Sequence, residues 1–264
     1  MDDDDHLNTS VVPERGQGMD DDAHVWVAGT EGRLSSYESV LSASERARMG
    51  RFHFERDRRS FAVAHGLLRN ALTWCLPEVP ATGWEFARGP YGRPELADGQ
   101  AGSGLRFNVS HCHRLVAVVV TREIDCGIDM EPVDPEVDVV GLGHRVLAPD
   151  ELAAVMALPV SGRSARFFCH WTLKEAYAKA RGQGMRLPFD RVSFGLGDGI
   201  RAAIDSELGD SEADWQFEQW VTGSGETLAL ALRAGPGRRM RVVPHFPRSM
   251  REGRRTFSPR WVRL

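Results

Sequence analysis

Asp129 and Glu131 in the run Gly127-Ile128-Asp129-Met130-Glu131, and Glu175 and Lys179 in the run Trp171-Thr172-Leu173-Lys174-Glu175-Ala176-Tyr177-Ala178-Lys179, have the types and spacing to handle a charged phosphate. The first run alternates apolar and acidic residues, so as a strand it places both acids on one face and sends Ile128 and Met130 to a core. The second is rich in helix formers and sets Glu175 and Lys179 one turn apart. Packed together, the two elements gather three carboxylates and an ammonium. That is a set suited to a hard divalent cation holding a phosphate.

Mg²⁺ takes oxygen ligands and keeps several waters, binding through a few carboxylates and the substrate's own phosphates. Without a cation, each like-charge pair at about 4 Å costs about 4 kcal/mol at an effective dielectric of about 20. Convergence of the three acids would therefore call for a metal. Plainer readings stay open. An Asp-x-Glu pair is also what the solvated face of a sheet presents, and Glu175 with Lys179 is also an ordinary surface pair contributing about 0.3–0.5 kcal/mol. Trp171 reads as core packing that aims the helix.

Asn108-Val109-Ser110-His111 precedes an apolar, β-branched run. A hydroxyl and an imidazole at a strand edge could grip a phosphate, or simply cap a turn. His111-Cys112-His113 lacks the second ligand pair of a zinc site. Gly141-Leu142-Gly143 lacks the third glycine of a dinucleotide fingerprint, and there is neither a P-loop nor a Gly-x-Ser-x-Gly elbow. Arg46, Arg48, Arg51, Arg58 and Arg59 form either a solvated face or a phosphate grip.

The elements that would hold these groups read as an α+β protein. A chain of 264 residues, 42% hydrophobic, can bury a substantial core as one large domain or two small ones. The net charge of −4 excludes no partner by itself. No apolar run is long enough to cross a bilayer and the first thirty residues do not read as a signal peptide, so a cytoplasmic protein is expected. The four cysteines, Cys75, Cys112, Cys126 and Cys169, show no paired spacing and read as reduced thiols.

Residues 1–22 form an acidic leader without apolar period, expected to be disordered, and Met19 is a candidate start. A capping box, Ser42-Ala43-Ser44-Glu45, opens a helix. A longer helix over about 57–76 carries Phe61, Ala64, Leu67, Leu68, Ala71 and Leu72 on one stripe. Strands follow near 84–87, 107–110 and 115–121. The order of helices and then an antiparallel hairpin recurs: a helix from about 149, a long one over about 163–181 stopped by Gly182-Gln183-Gly184, and strands near 192–194, 215–220 and 228–232. The expected organisation is two similar subdomains, 23–123 and 124–236, in a pseudo-two-fold arrangement. Each has a small antiparallel sheet packed by helices, with the active site in the cleft between them. An Arg-rich tail, 237–264, has no obvious place.

Taken together, Phe107-Asn108-x-Ser110-His111, Gly127-Ile128-Asp129-x-Glu131 and Trp171-x-x-Lys174-Glu175-Ala176-x-x-Lys179 with Gly182 and Gly184 resemble the larger, pseudo-dimeric class of 4′-phosphopantetheinyl transferases. Tyr91-Gly92-Arg93-Pro94 and the helix over 48–52 match more loosely. The resemblance implies a fold with the cofactor between two halves. It implies transfer of 4′-phosphopantetheine from coenzyme A to a serine of apo acyl or peptidyl carrier proteins, in nonribosomal-peptide or polyketide synthesis. Asp129, Glu131 and Glu175 would bind Mg²⁺, with Mn²⁺ as a substitute, and Lys179 would neutralise the diphosphate. Ser110 and His111 would hold phosphate groups, Arg48 and Arg93 would reach the 3′-phosphate and adenosine end, and Lys174 would contact the cofactor. Glu175, or a water on the metal, would take the serine proton. A monomer is implied, since one chain carries both halves, with no nucleic-acid or membrane partner. Glu45 departs from the pattern, standing where several relatives carry lysine.

Overall fold

The computed structural model describes residues 19–32, 34–112, 114–245 and 262–263. Strand β1 (Asp22–Gly29) leads through α1 (Ser35–Glu38) and α2 (Ala43–Met49) to the 21-residue α3 (Glu55–Cys75). The hairpin β2 (Phe86–Arg88) and β3 (Pro94–Leu96), the short α4 (Asp98–Ala101), and the pair β4 (Leu105–His111) and β5 (Leu115–Arg122) complete the first half. The second half runs β6 (Cys126–Pro132), α5 (Val139–Val146), α6 (Pro149–Met156) and the 21-residue α7 (Val160–Ala180). It then makes the hairpin β7 (Val192–Leu196) and β8 (Ile200–Ile204), and the pair β9 (Gln216–Val221) and β10 (Glu226–Leu232). The chain ends with β11 (Arg241–His245) and β12 (Val262–Arg263).

The two sheets run β11-β1-β5-β4 and β12-β9-β10-β6. In both, the first strand of the half pairs antiparallel with its last, which pairs with the one before it. The plan is therefore repeated. Each sheet is covered on one face by its own long helix: the stripe of α3, from Ala64 to Leu72, packs on the first sheet, and Leu173, Ala176 and Ala180 of α7 pack on the second. The other faces meet each other, with Val25, Val27, Ala117 and Val119 against Ile128, Met130, Leu228 and Leu230. A strand buried on both faces needs apolar residues throughout, and β5 is almost wholly β-branched and buried for that reason.

Local signals behave as their chemistry demands. Ser42 accepts from the Glu45 N–H while Glu45 accepts from the Ser42 N–H, the reciprocal cap at the start of α2. At the end of α7, Gly182 takes φ +69°, which a side chain resists, and its N–H closes on the Lys179 carbonyl.

Two expectations need correcting. Residues 19–22 of the leader are ordered: Met19 is buried in the first core and Asp22 opens β1. Residues 1–18 lie outside the described residues. Two stretches of the tail belong to the fold, since β11 pairs parallel with β1 and β12 pairs with β9, and residues 246–261 and 264 lie outside the described residues. At the β1–β11 seam His245 stacks on Trp26 at 4.4 Å and its Nε2 lies 2.9 Å from Nδ1 of His24, whose pKa burial lowers to about 4. Gly141 and Gly143 lie in α5, which Asp138 caps by accepting from the Gly141 N–H.

Candidate active site

Strand β6 carries two of the acids and has unlike edges. One edge is a regular ladder with β10, Asp129 opposite Ala229. The other faces β4, and there side chains take the place of a ladder. Asn108 Oδ1 accepts from the Ile128 N–H at 3.0 Å and Ser110 Oγ from the Met130 N–H at 3.2 Å. Lys179 Nζ donates to the Ile128 carbonyl at 3.2 Å. Buried N–H and C=O groups need such partners. Gly127 lets α7 approach: a Cβ there would lie 2.0 Å from the Ala176 carbonyl oxygen. With Ile128 and Met130 committed to the core between the sheets, Asp129 and Glu131 project from the opposite face of the strand.

Helix α7 supplies the remaining charges. Lys179 Nζ donates to Asp129 Oδ1 at 2.6 Å, and Ser110 Oγ donates to the same oxygen at 3.1 Å while accepting from Lys179. Asp129 is 3% exposed, yet its Oδ2 has no hydrogen-bond partner, and neither does the buried Oε1 of Glu175. Burial, then the Asp129 carboxylate, push Glu175 up to about 7, with Lys179 opposing and Glu131 adding. Glu131 is raised by burial and by Asp129, against Lys179 and a hydrogen bond from Trp171. His111 is lowered, chiefly by burial, which favours its neutral form.

Among the described residues no three His, Cys, Asp or Glu side chains close into a ready metal cage. The three carboxylates share one neighbourhood, close enough to perturb each other, with the Lys179 ammonium beside Asp129 supplying positive charge. The set still suits a divalent cation. Two buried carboxylate oxygens without partners, and a Glu175 whose pKa burial and its acidic neighbours push up, fit a cation-binding role. His113 lies outside the described residues.

A cleft of about 1370 Å³ opens beside these groups, larger than the roughly 300–1,000 Å³ of ordinary small-molecule sites. Helices α2 and α3 and the β2–β3 hairpin form most of its wall, and His111, Glu131 and Pro132 close one end. Arg48 lines it, with its guanidinium over the Phe61 ring at 5.5 Å. Glu45 lies in the same wall. Burial alone would raise its pKa, but hydrogen bonds from His65, Ser42 and Arg69 outweigh that and hold it at about 2.

The structure thus brings Asp129, Glu131, Glu175, Lys179, Ser110 and His111 together, with Arg48 across the cleft. It corrects three roles. Lys174 is fully buried behind the helix: Nζ donates to Glu151 at 2.7 Å, to the Phe189 carbonyl at 2.6 Å and to the Val192 carbonyl, so all three donors are used and no cofactor reaches it. The Ser110 hydroxyl is saturated by Asp129, Met130 and Lys179, which makes it a junction between β4 and β6 and leaves nothing for a phosphate. Arg93 donates to the carbonyls of Ala180 at 2.7 Å and Cys126 at 3.3 Å and not into the cleft. Arg59 is likewise structural, donating to the Thr30 and Gly32 carbonyls. The sequence reading passed over Arg56 and Arg88, both lining the cleft, and the role of Asn108. The alternation of Asn108 and Ser110 on one face of β4 was the available signal.

Both halves of the chain are similar to known proteins. Residues 125–232 match the model of the 4′-phosphopantetheinyl transferase superfamily, and residues 26–123 match that of the 4′-phosphopantetheinyl transferase N-terminal region. The chain is 36% identical to the 4′-phosphopantetheinyl transferase HetI of Nostoc sp., over 63% of this chain and 71% of that protein. It is 24% identical to the 4′-phosphopantetheinyl transferase Sfp of Bacillus subtilis, over 74% and 83%. The human L-aminoadipate-semialdehyde dehydrogenase-phosphopantetheinyl transferase is 25% identical over 77% of this chain and 71% of its own. The chain belongs to the 4′-phosphopantetheinyl transferase superfamily.

Proposed function

We propose that this chain transfers 4′-phosphopantetheine from coenzyme A to the serine of an apo acyl or peptidyl carrier protein, releasing adenosine 3′,5′-bisphosphate, in the service of nonribosomal-peptide or polyketide synthesis. The observation that carries the reading is the Lys179–Asp129 pair, with Glu175 and Glu131 beside it, at the end of a cleft roomy enough for a nucleotide.

Asp129, Glu131 and Glu175 would hold Mg²⁺, or Mn²⁺ in its place. Bound there, the ion would neutralise the diphosphate of coenzyme A. Lys179, its three donors held by Asp129, Ser110 and the Ile128 carbonyl but its side chain 26% exposed where Lys174 is wholly buried, would act through its charge on the transferred and departing phosphates. Glu175 would take the proton from the attacking serine hydroxyl. His111, neutral in the lining of the cleft, would donate a hydrogen bond to a phosphate oxygen. Arg48 reaches the nucleotide end. Ser110 and Asn108 keep β6 in register, and Lys174 braces α7 from behind. The chain works as a monomer in the cytoplasm, with a carrier protein as its macromolecular partner.

Incubation with coenzyme A, Mg²⁺ and an apo carrier protein tests this by mass spectrometry. The carrier should gain one phosphopantetheine. Cleavage of coenzyme A with the carrier left unmodified would mean a hydrolase instead.

A further inference from the structure

Arg93 belongs to the β2–β3 hairpin of the first half, but its guanidinium crosses to the second. Nη1 donates to the Ala180 carbonyl in the last turn of α7, and Nη2 to the Cys126 carbonyl at the start of β6. Carbonyls in the last turn of a helix lack intrahelical partners and carry the negative end of its dipole, so a cation there is doubly favoured. The side chain lies along the Gly182 turn, where a Cβ would stand 3.5 Å from Arg93 Cδ. A second contact follows the same path, with the Arg186 guanidinium 4.9 Å from the centre of the Tyr91 ring.

The two neighbours of Arg93, Gly92 and Pro94, line the cleft. One guanidinium therefore joins the hairpin wall of the cleft to the two elements that carry the reactive acids, β6 with Asp129 and α7 with Glu175 and Lys179. A planar fork with several donors in fixed geometry suits such a three-way junction.

We propose that Arg93 is a positioning residue: a strut that fixes the hairpin against α7 and β6 and so sets the width of the cofactor cleft, without touching the cofactor's 3′-phosphate. The inference rests on the transferase reading, in which the cleft holds coenzyme A. A strut and a phosphate ligand differ in what they discriminate. Loss of a strut weakens every nucleotide that leans on the hairpin, whereas loss of a phosphate ligand weakens only the nucleotide bearing that phosphate.

The test is calorimetric titration of the full chain with coenzyme A and with 3′-dephospho-coenzyme A, for wild type, Arg93→Ala and the milder Arg93→Gln, each checked by thermal melting. Arg93→Gln keeps one donor for a carbonyl but no charge for a phosphate, so it decides the matter if the alanine variant does not fold. Hydrogen exchange of residues 89–93 is followed in parallel. The strut predicts that both nucleotides weaken by the same factor, about tenfold, and that amides of residues 89–93 exchange faster while those of α2 do not. Weakening confined to coenzyme A would make Arg93 a phosphate ligand and overturn the proposal. A lowered Tm with unchanged affinities would make it a stabilising contact only, and overturn it equally. A wild-type chain that binds neither nucleotide would sink the transferase reading, and exchange in the hairpin would still decide whether Arg93 holds it.

Discussion

Lys179 and Asp129 come from different elements, the last turn of α7 and the middle of β6, and meet at 2.6 Å with Ser110 of the other half bonded to both. Three elements thus agree on the position of one carboxylate. Asp129 is nearly inaccessible while Lys179 is 26% exposed on its side chain, so the pair is buried at one end and partly open to solvent at the other.

Replacing Lys179 by methionine should therefore act on two scales. It leaves a buried carboxylate with Ser110 and an unpaired oxygen, which costs on the order of 1–3 kcal/mol of stability, less than a wholly buried pair because the lysine is partly solvated. It also removes the charge facing the diphosphate, and kcat should fall about a hundredfold or more. Single-turnover transfer measured beside a denaturant melt separates the two. A variant with wild-type kcat would remove Lys179 from the chemistry.

Asn108 should govern the acid strand without touching substrate. Asn108→Ala strips the Ile128 N–H of its acceptor, a loss of about 1–3 kcal/mol for a buried donor left unpaired. The Ile128 amide should lose protection from hydrogen exchange, and Mg²⁺ affinity, read by thermal shift, should drop with it. Asn108→Asp keeps an acceptor of the same shape and should restore the amide's protection. Equal protection of Ile128 in wild type and in Asn108→Ala would mean that β6 does not depend on this side chain.

Much of this arrangement was legible before any coordinates. The apolar–acidic alternation of residues 127–131 reports a strand with one face in the core, and the β-branched run of β5 reports burial on both faces. What escaped was set by partners distant in sequence. Lys174 adjoins Glu175, but successive residues on a helix diverge by about 100°, so it points at Glu151, which also caps α6 through the Ala148 N–H. Strand β11 is short, half polar and contains Pro244, a pattern that argues against a strand except at a sheet edge, and its pairing partner β1 lies at the far end of the chain. Arg93 reads as a free cation until the carbonyls of Ala180 and Cys126 are seen beside it.

Lys174 consequently offers a test of position against chemistry. Lys174→Met should destabilise the fold by about 3–5 kcal/mol, since it takes the ammonium from buried Glu151 and leaves that carboxylate only His170 and the Ala148 and Phe194 N–H groups. Burial lowers the lysine's pKa and Glu151 raises it again, so the pair is charge-compensated only while both remain. The folded fraction of the variant should bind coenzyme A as wild type does, measured calorimetrically below its melting range. A specific loss of affinity in folded protein would return Lys174 to the cofactor site.

Glu175 makes the metal-free protein pH-sensitive in a stated direction. Burial, then the neighbouring Asp129 carboxylate, raise its pKa from 4.5 to about 7, with Lys179 opposing and Glu131 adding to the shift. A carboxyl whose folded pKa exceeds its unfolded value stabilises the fold while protonated, fully so below the unfolded value, and that contribution disappears as pH rises through the folded one. Metal-free protein should therefore lose stability between about pH 5 and pH 8, by a few kcal/mol at most given that each pKa unit is worth about 1.4 kcal/mol. A divalent cation binds the ionised carboxylate, so Mg²⁺ should recover the most stability above pH 7 and should displace protons when added below it. Glu175→Gln cannot ionise, and its stability profile over the same range should be flatter, with a smaller response to Mg²⁺. Thermal melts of both proteins from pH 5 to pH 8, with chelator and with Mg²⁺, make the comparison, and parallel profiles for the two would show that Glu175 is not the group whose charge the site is built to neutralise.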